Sequence, residues 1–182
     1  MPDTNSVKYP VVTSVLIQER ALLSMVLSCI EVYHHEALGL LLGHVGIDKY
    51  IVEYAIPYQT AMKGYSWVAP KSNAADRMNK ILKCLPLSLI GDYHSHTQWK
   101  TLRGEPTPSG DDIADMECGR VYIIMAINDK VKPEPWKITE NGFITGTLNE
   151  YKIDIGAYTC PEDYKSKPVK IICPSALGLF LP

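Results

Sequence analysis

The sequence predicts a single α/β domain, and three observations carry that expectation. Short β-branched runs alternate along the chain with segments whose apolar residues recur at helical spacing. One run, VYIIMAIND at 121–129, is apolar almost throughout, the mark of a strand covered on both faces. The chain has 182 residues, 46% of them apolar, which is enough for one ordinary core.

The elements follow in order. VVTSVLI at 11–17 reads as a strand, and 18–33 places Leu22, Leu23, Val26, Leu27 and Ile30 on one helical face. EALGLLLGH at 36–44 is too apolar and too glycine-interrupted for a surface helix. After the turn VGIDK, YIVEYAIP at 50–57 resumes strand composition, so the two runs predict a hairpin of central strands. KGYSWVAPKSN at 63–73 reads as loop. Ser72 is placed to cap a helix from about Asn73 to Leu85, with Met78, Ile81, Leu82 and Leu85 inward and Pro86 as its stop.

PLSLIGDYHSH at 86–96 is the next strand, and TQWKTLRGEPTP at 97–108 is an irregular loop with two prolines and a glycine. A short helix is expected from Ser109 to about Gly119, and the strand at 121–129 should lie near the sheet centre. WKITENGFITGTLNEYKID at 136–154 alternates around Asn141-Gly142, a strong hairpin signal. The domain is placed at 1–160. Residues 161–182 read as a Pro/Lys-rich tail ending in IICPSALGLFLP, expected to pack on the domain or on a partner.

Eighteen basic against twenty acidic residues give a net charge of −2, which lacks the basic footprint of a nucleic-acid binder. The five cysteines are odd in number, widely spaced and without Cys-x-x-Cys, so neither a disulfide framework nor a thiolate zinc clamp is expected. They read as mostly buried free thiols. The polar N-terminus and the short apolar stretch at 21–30 predict no signal segment and no membrane span, hence a cytoplasmic protein.

The stretch GDYHSHTQWKTLRGEPTPSGDD at 91–112 carries the chemistry. On a strand, residues i and i+2 project from one face about 7 Å apart, so His94 and His96 can converge on one ion. The same letters also fit two solvated histidines at a strand end. Ser109 reads as a helix N-cap, with Asp111 and Asp112 complementing the positive end of the dipole. A capped first turn is also a rigid place from which one carboxylate can complete a His-His-Asp zinc set, leaving the fourth position for water.

A hydrolytic site also needs a general base that is not a ligand. Glu36 opens an apolar run, where a carboxylate facing the core is costly unless it serves a site or finds a partner. His35-Glu36 does not continue to the zinc protease helix motif, because Gly39 stands where the second histidine would be. The zinc deaminase signature fails for want of Cys-x-x-Cys. His34, His35 and His44 are assigned no role.

Taken in order, Glu36 opening an apolar strand, His94-Ser95-His96 ending a later strand, and Ser109-Gly110-Asp111-Asp112 starting a helix resemble the JAMM or MPN-plus metalloprotease family. The order of elements is similar over roughly residues 8–155. The resemblance implies a mixed β-sheet flanked by helices, the layered architecture also seen in cytidine deaminases. It implies one Zn2+ held by His94, His96 and Asp112. It implies that Glu36 takes a proton from the attacking water and delivers one to the leaving amine, while Ser109 donates a hydrogen bond to the oxyanion. The substrates implied are isopeptide or peptide bonds at the C-terminus of ubiquitin or a ubiquitin-like protein.

The chain departs from the family pattern in two places. Thr97 stands where proline is usual, and the loop from His96 to Ser109 is several residues longer than in compact members. That insert is expected to bulge over the site, bringing Trp99 and Arg103 to a substrate tail. The stretch 58–70 falls where the resemblance places a substrate-tail groove, with Tyr65 and Trp67 lining it and an extended tail added as a strand. A peptidase trimming a sulfur-carrier protein and a catalytically silent scaffold of the same fold are the alternatives. Association with a second copy or a partner protein is left open by the apolar tail.

Overall fold

A computed structural model of the chain describes residues 11–63, 68–129, 132–160 and 165–178. The expected groove residues Tyr65 and Trp67 lie outside the described residues.

The chain enters through β1 (Ser14–Ile17) and α1 (Glu19–Glu31). The hairpin β2 (Leu38–Val45) and β3 (Lys49–Pro57) follows. A two-stranded hairpin of β4 (Met62–Lys63) and β5 (Val68–Ala69) precedes α2 (Ser72–Leu82). Next come β6 (Ser88–Thr97), α3 (Gly110–Asp115) and β7 (Val121–Asn128). The last part of the fold holds β8 (Lys137–Ile138), β9 (Ile144–Leu148) and β10 (Tyr151–Thr159), then β11 (Lys167–Pro168), β12 (Lys170–Ile172) and α4 (Pro174–Leu177).

These strands build the mixed sheet flanked by helices that the sequence predicts, in the order β12-β1-β3-β2-β6-β7-β10-β9-β8, with β11 against β10. The pairs β1–β3 and β6–β7 are parallel, while β2 joins β3 and β6 antiparallel. Every residue of β7 is buried, as its apolar run requires of a strand covered on both faces. A Cβ on Gly91 would stand 1.7 Å from the Val121 carbonyl oxygen, so glycine is what lets β6 and β7 approach there.

One face of the sheet carries the main core. Leu22, Met25, Val26 and Cys29 of α1 pack with Leu41, Val52, Tyr93, Ile123 and Met125, all of them buried. The opposite face is covered in patches. Leu82 of α2 seals Leu40 and Leu42, while Met116 lies with Tyr122, Ile124 and Tyr158. Between these patches the sheet floor is left open to a cavity.

Several elements differ from expectation. Residue Lys71, not Ser72, is the N-cap of α2, and it makes no side-chain cap bond. The inner face of α2 runs through Met78 and Leu82, while Ile81 and Leu85 are exposed. The helix straddles a thin patch and has little sheet to bury against. The Asn141-Gly142 turn, with Gly142 at φ +78°, closes only the short β8–β9 pair. The longer hairpin, β9–β10, turns at Asn149, which tolerates φ +53°. Within 165–178, β12 pairs in parallel with β1, and Ala176 of α4 is fully buried. Cys29, Cys160 and Cys173 are buried, Cys118 is half-buried and Cys84 is exposed. Among the described residues, no helix is long and apolar enough to cross a membrane.

Candidate metal centre

Strand pairing fixes where β6 points its polar residues. His94 sits in register between Leu38 of β2 and Ile124 of β7, and Asp92 between Leu40 and Tyr122. Asp92, His94 and His96 alternate with Tyr93 and Ser95, so they share the face turned away from α1. That face lines a cavity of 1320 Å³ together with Glu36, Ser109 and Asp112.

The backbone turn leading into α3 brings the third polar group over. Ser109 is the N-cap: its hydroxyl accepts from the Asp112 N–H at 3.2 Å, and its own N–H donates to Asp112 Oδ2 at 2.6 Å. This capping box fixes the carboxylate on the first turn of the helix.

The donor atoms converge. His94 Nε2 lies 3.1 Å from His96 Nε2, 3.3 Å separates His94 Nε2 from Asp112 Oδ1, and 3.4 Å separates His96 Nε2 from Asp112 Oδ2. Ligand atoms at ~2.0–2.1 Å from a tetrahedral zinc stand about 3.3 Å apart, so the triangle has the edges of such a site. Two imidazole nitrogens facing at 3.1 Å need a proton or an ion between them. His96 Nδ1 donates to the Glu105 carbonyl at 2.9 Å. A carbonyl only accepts, so Nδ1 carries the hydrogen and Nε2 presents its lone pair, the state a metal requires. The group fits a divalent transition metal.

Burial opposes ionisation of Asp112, but hydrogen bonds from His94, His96 and Ser109 outweigh it and hold the carboxyl well below the usual carboxylate range. For His96, burial favours the neutral ring, yet the bonds to Asp112 and the Glu105 carbonyl, with the nearby carboxylates, raise its pKa. Burial pushes the Glu36 carboxyl up, against the pull of His96 and His94. Asp92 is pushed up to about 6 by burial, opposed by His94 and Arg120.

Glu36 is placed by its neighbour. It stands two residues ahead of β2, and Ala37 is hooked twice onto Ser95 between the two histidines. The Ala37 N–H donates to Ser95 Oγ at 2.8 Å, and the Ser95 N–H donates to the Ala37 carbonyl at 3.0 Å. A base and two metal ligands on different strands are thereby held in one frame.

The loop after His96 lines the cavity through Leu102, Arg103, Gly104 and Glu105 and is pinned at its base. Asn128, 2% exposed at the end of β7, accepts from the Gly104 N–H at 2.9 Å and donates to the Gly104 carbonyl at 3.1 Å. The Tyr158 hydroxyl donates to the Pro106 carbonyl at 2.8 Å. A Cβ on Gly104 would lie 2.4 Å from the His96 carbonyl oxygen, so glycine permits the approach that delivers the Glu105 carbonyl to His96. Trp99 sits at the loop tip, 48% exposed and bridged to Leu102, while Arg103 reaches the cavity wall. Asp92, Ser95, Asn128 and Tyr158 were missed in the sequence; a lone polar residue closing the apolar run of β7 was the available signal for Asn128.

The comparisons bear on family and fold. The profile of a family described as prokaryotic homologs of the JAB domain matches residues 18–139. No curated protein matches the chain. The solution structure of a protein from Desulfitobacterium hafniense is similar with a TM-score of 0.62 and 17% identity, over 87% of this chain and 92% of that one.

Proposed function

The chain belongs to the family of prokaryotic homologs of the JAB domain, and from that membership and its site we propose that it is a zinc-dependent peptidase. Its substrates are isopeptide or peptide bonds at the C-terminus of a ubiquitin-like protein. The observation that supports this best is the His94–His96–Asp112 triangle with Glu36 in the same cavity. Two imidazoles and a carboxylate make a three-ligand set with room for a fourth.

Zinc held there supplies Lewis acidity and makes water a usable nucleophile near neutral pH. Glu36 lies outside the His94–His96–Asp112 group, and its raised carboxyl is suited to take a proton from water and return it to the departing amine nitrogen. The Ser109 hydroxyl donates to the oxygen that gains charge as the carbonyl is attacked. Asp112 keeps its orientation through the capping box and His96 through the Glu105 carbonyl.

The test is zinc content of the purified chain, followed by cleavage of ubiquitin-like proteins fused at their C-terminus to a reporter amine. About one zinc per chain is expected. A Glu36→Gln variant should keep that zinc while its cleavage rate falls ~100- to 10,000-fold. A zinc-loaded, folded chain that cuts no such fusion would favour a silent scaffold. A chain that trims only a sulfur-carrier protein would narrow the substrate.

A further inference from the structure

We propose that Asp92 is the floor of a subsite that receives a cationic side chain, lysine or arginine, of a substrate residue next to the cleaved bond. The inference deepens the peptidase reading and rests on it for the word substrate, though not for the binding itself.

Asp92 lies two residues before His94 on the same face of β6, about 7 Å further along the cavity floor. That is about two backbone steps of an extended chain, within the span of one long side chain. Across the sheet its neighbours are Leu40 on β2 and Tyr122 on β7, and Leu89 also lines the cavity, while His94, Arg120, Asp112 and Glu117 lie near enough to act on its charge. Among the described residues the Asp92 carboxylate accepts no hydrogen bond and joins no ion pair. Arg120, which favours the charged form of Asp92 through space, pairs with Glu117 at 2.9 Å, and the other cations lining the cavity are Lys83 and Arg103.

A carboxylate in such a place is costly to the free protein unless something that enters the cavity meets it. Carboxylates outnumber cationic side chains around the cavity, so an acidic ligand group would be repelled and a cation drawn in. A lysine or arginine brings both the charge and the hydrogen-bond donors that Asp92 lacks, with its methylene stem lying along Leu40 and Leu89.

Binding can be read apart from cleavage. Zinc-loaded Glu36→Gln protein is titrated against fluorescent alanine–glycine hexapeptides carrying one lysine, norleucine or glutamate at each position in turn, followed by anisotropy. At one position lysine should bind about tenfold or more tighter than norleucine, and glutamate weaker still. Adding Asp92→Asn should shrink the lysine advantage to within about twofold, with zinc affinity unchanged, and Asp92→Lys should invert it in favour of glutamate. Equal affinity for lysine and norleucine at every position overturns the subsite, as does failure of all peptides to bind. An Asp92→Asn variant that weakens zinc and every peptide alike also overturns it, because Asp92 would then act through His94. A lysine preference in a chain that cleaves nothing leaves the subsite standing and removes the peptidase reading.

Discussion

Tyr93 and Ser95 on one face of β6, and Asp92, His94 and His96 on the other, are separated only by the strand pleat, yet their polar atoms meet different fates. On the core face both side chains are fully buried and partnered inside the protein. The Tyr93 hydroxyl meets Ser28 Oγ at 2.8 Å, and Ser95 Oγ takes the Ala37 N–H. On the cavity face two nitrogens point at each other across 3.1 Å, and among the described residues the Asp92 carboxylate accepts no hydrogen bond. A satisfied polar group holds a fold, whereas groups left facing one another across a gap invite a ligand. The comparison breaks if substitutions on the two faces have the same consequence.

The largest effect belongs to the cavity face. His96→Ala removes one corner of the triangle, and zinc measured by mass spectrometry of the dialysed protein should fall from about one per chain to near none. Thermal unfolding in chelator should stay close to the parent's, because His96 is half-buried on the cavity face, opposite the main core. Retained zinc would place the metal elsewhere.

Next comes the support of that face. Asn128→Ala frees Gly104 and, through it, the Glu105 carbonyl that fixes the His96 tautomer. Zinc affinity, read by chelator competition, should weaken roughly 10- to 100-fold, as is typical when an outer partner of a ligand is lost. Glu105→Ala should leave it unchanged, since only the backbone of that residue is used.

Ser95→Ala couples the two faces. It leaves the buried Ala37 N–H without its acceptor, a cost of about 1–3 kcal/mol in chemical unfolding. It also releases one of the two hooks that set Glu36 beside the histidines, so cleavage should slow while zinc content holds. Loss of zinc instead would mean that Ser95 serves the ligands and not the base.

How much of this was legible in the sequence follows from how local each signal is. The helical period of α1 and the apolar run of β7 are properties of neighbouring residues, and both elements formed, although Leu23 and Leu27, read on the packed face of α1, are exposed while Met25 and Cys29 are buried there. Ile81 of α2 and Leu85, which the period placed on the same inner face, were misplaced: Ile81 is exposed on a helix with little sheet to bury against, and Leu85 lies beyond the helix end at Leu82. His94 and His96 were legible by their i, i+2 spacing, and Asp112 by the cap three residues before it. Nothing in the chain near Asp92 or Ser95 marks them, and Asn128 shows only as the polar residue that closes the apolar run of β7. Asp92 matters because Leu40 and Tyr122 flank it, Ser95 because residue 37 lies alongside, and Asn128 because a loop 24 residues upstream returns to it. Register across strands created those roles.

The smallest effect tests the core face alone. Tyr93→Phe deletes one hydroxyl, and Ser28 Oγ still has the Met25 carbonyl at 3.0 Å, so no buried donor is stranded. The ring stays, and with it the packing against α1, so the cost is that of one neutral hydrogen bond, about 1 kcal/mol. At this chain length that lowers Tm by roughly 2–4 °C. Zinc affinity and cleavage should not move, although Tyr93 is the immediate neighbour of His94. If they do move, the pleat does not insulate the faces, and the core side of β6 would have to be counted as part of the site.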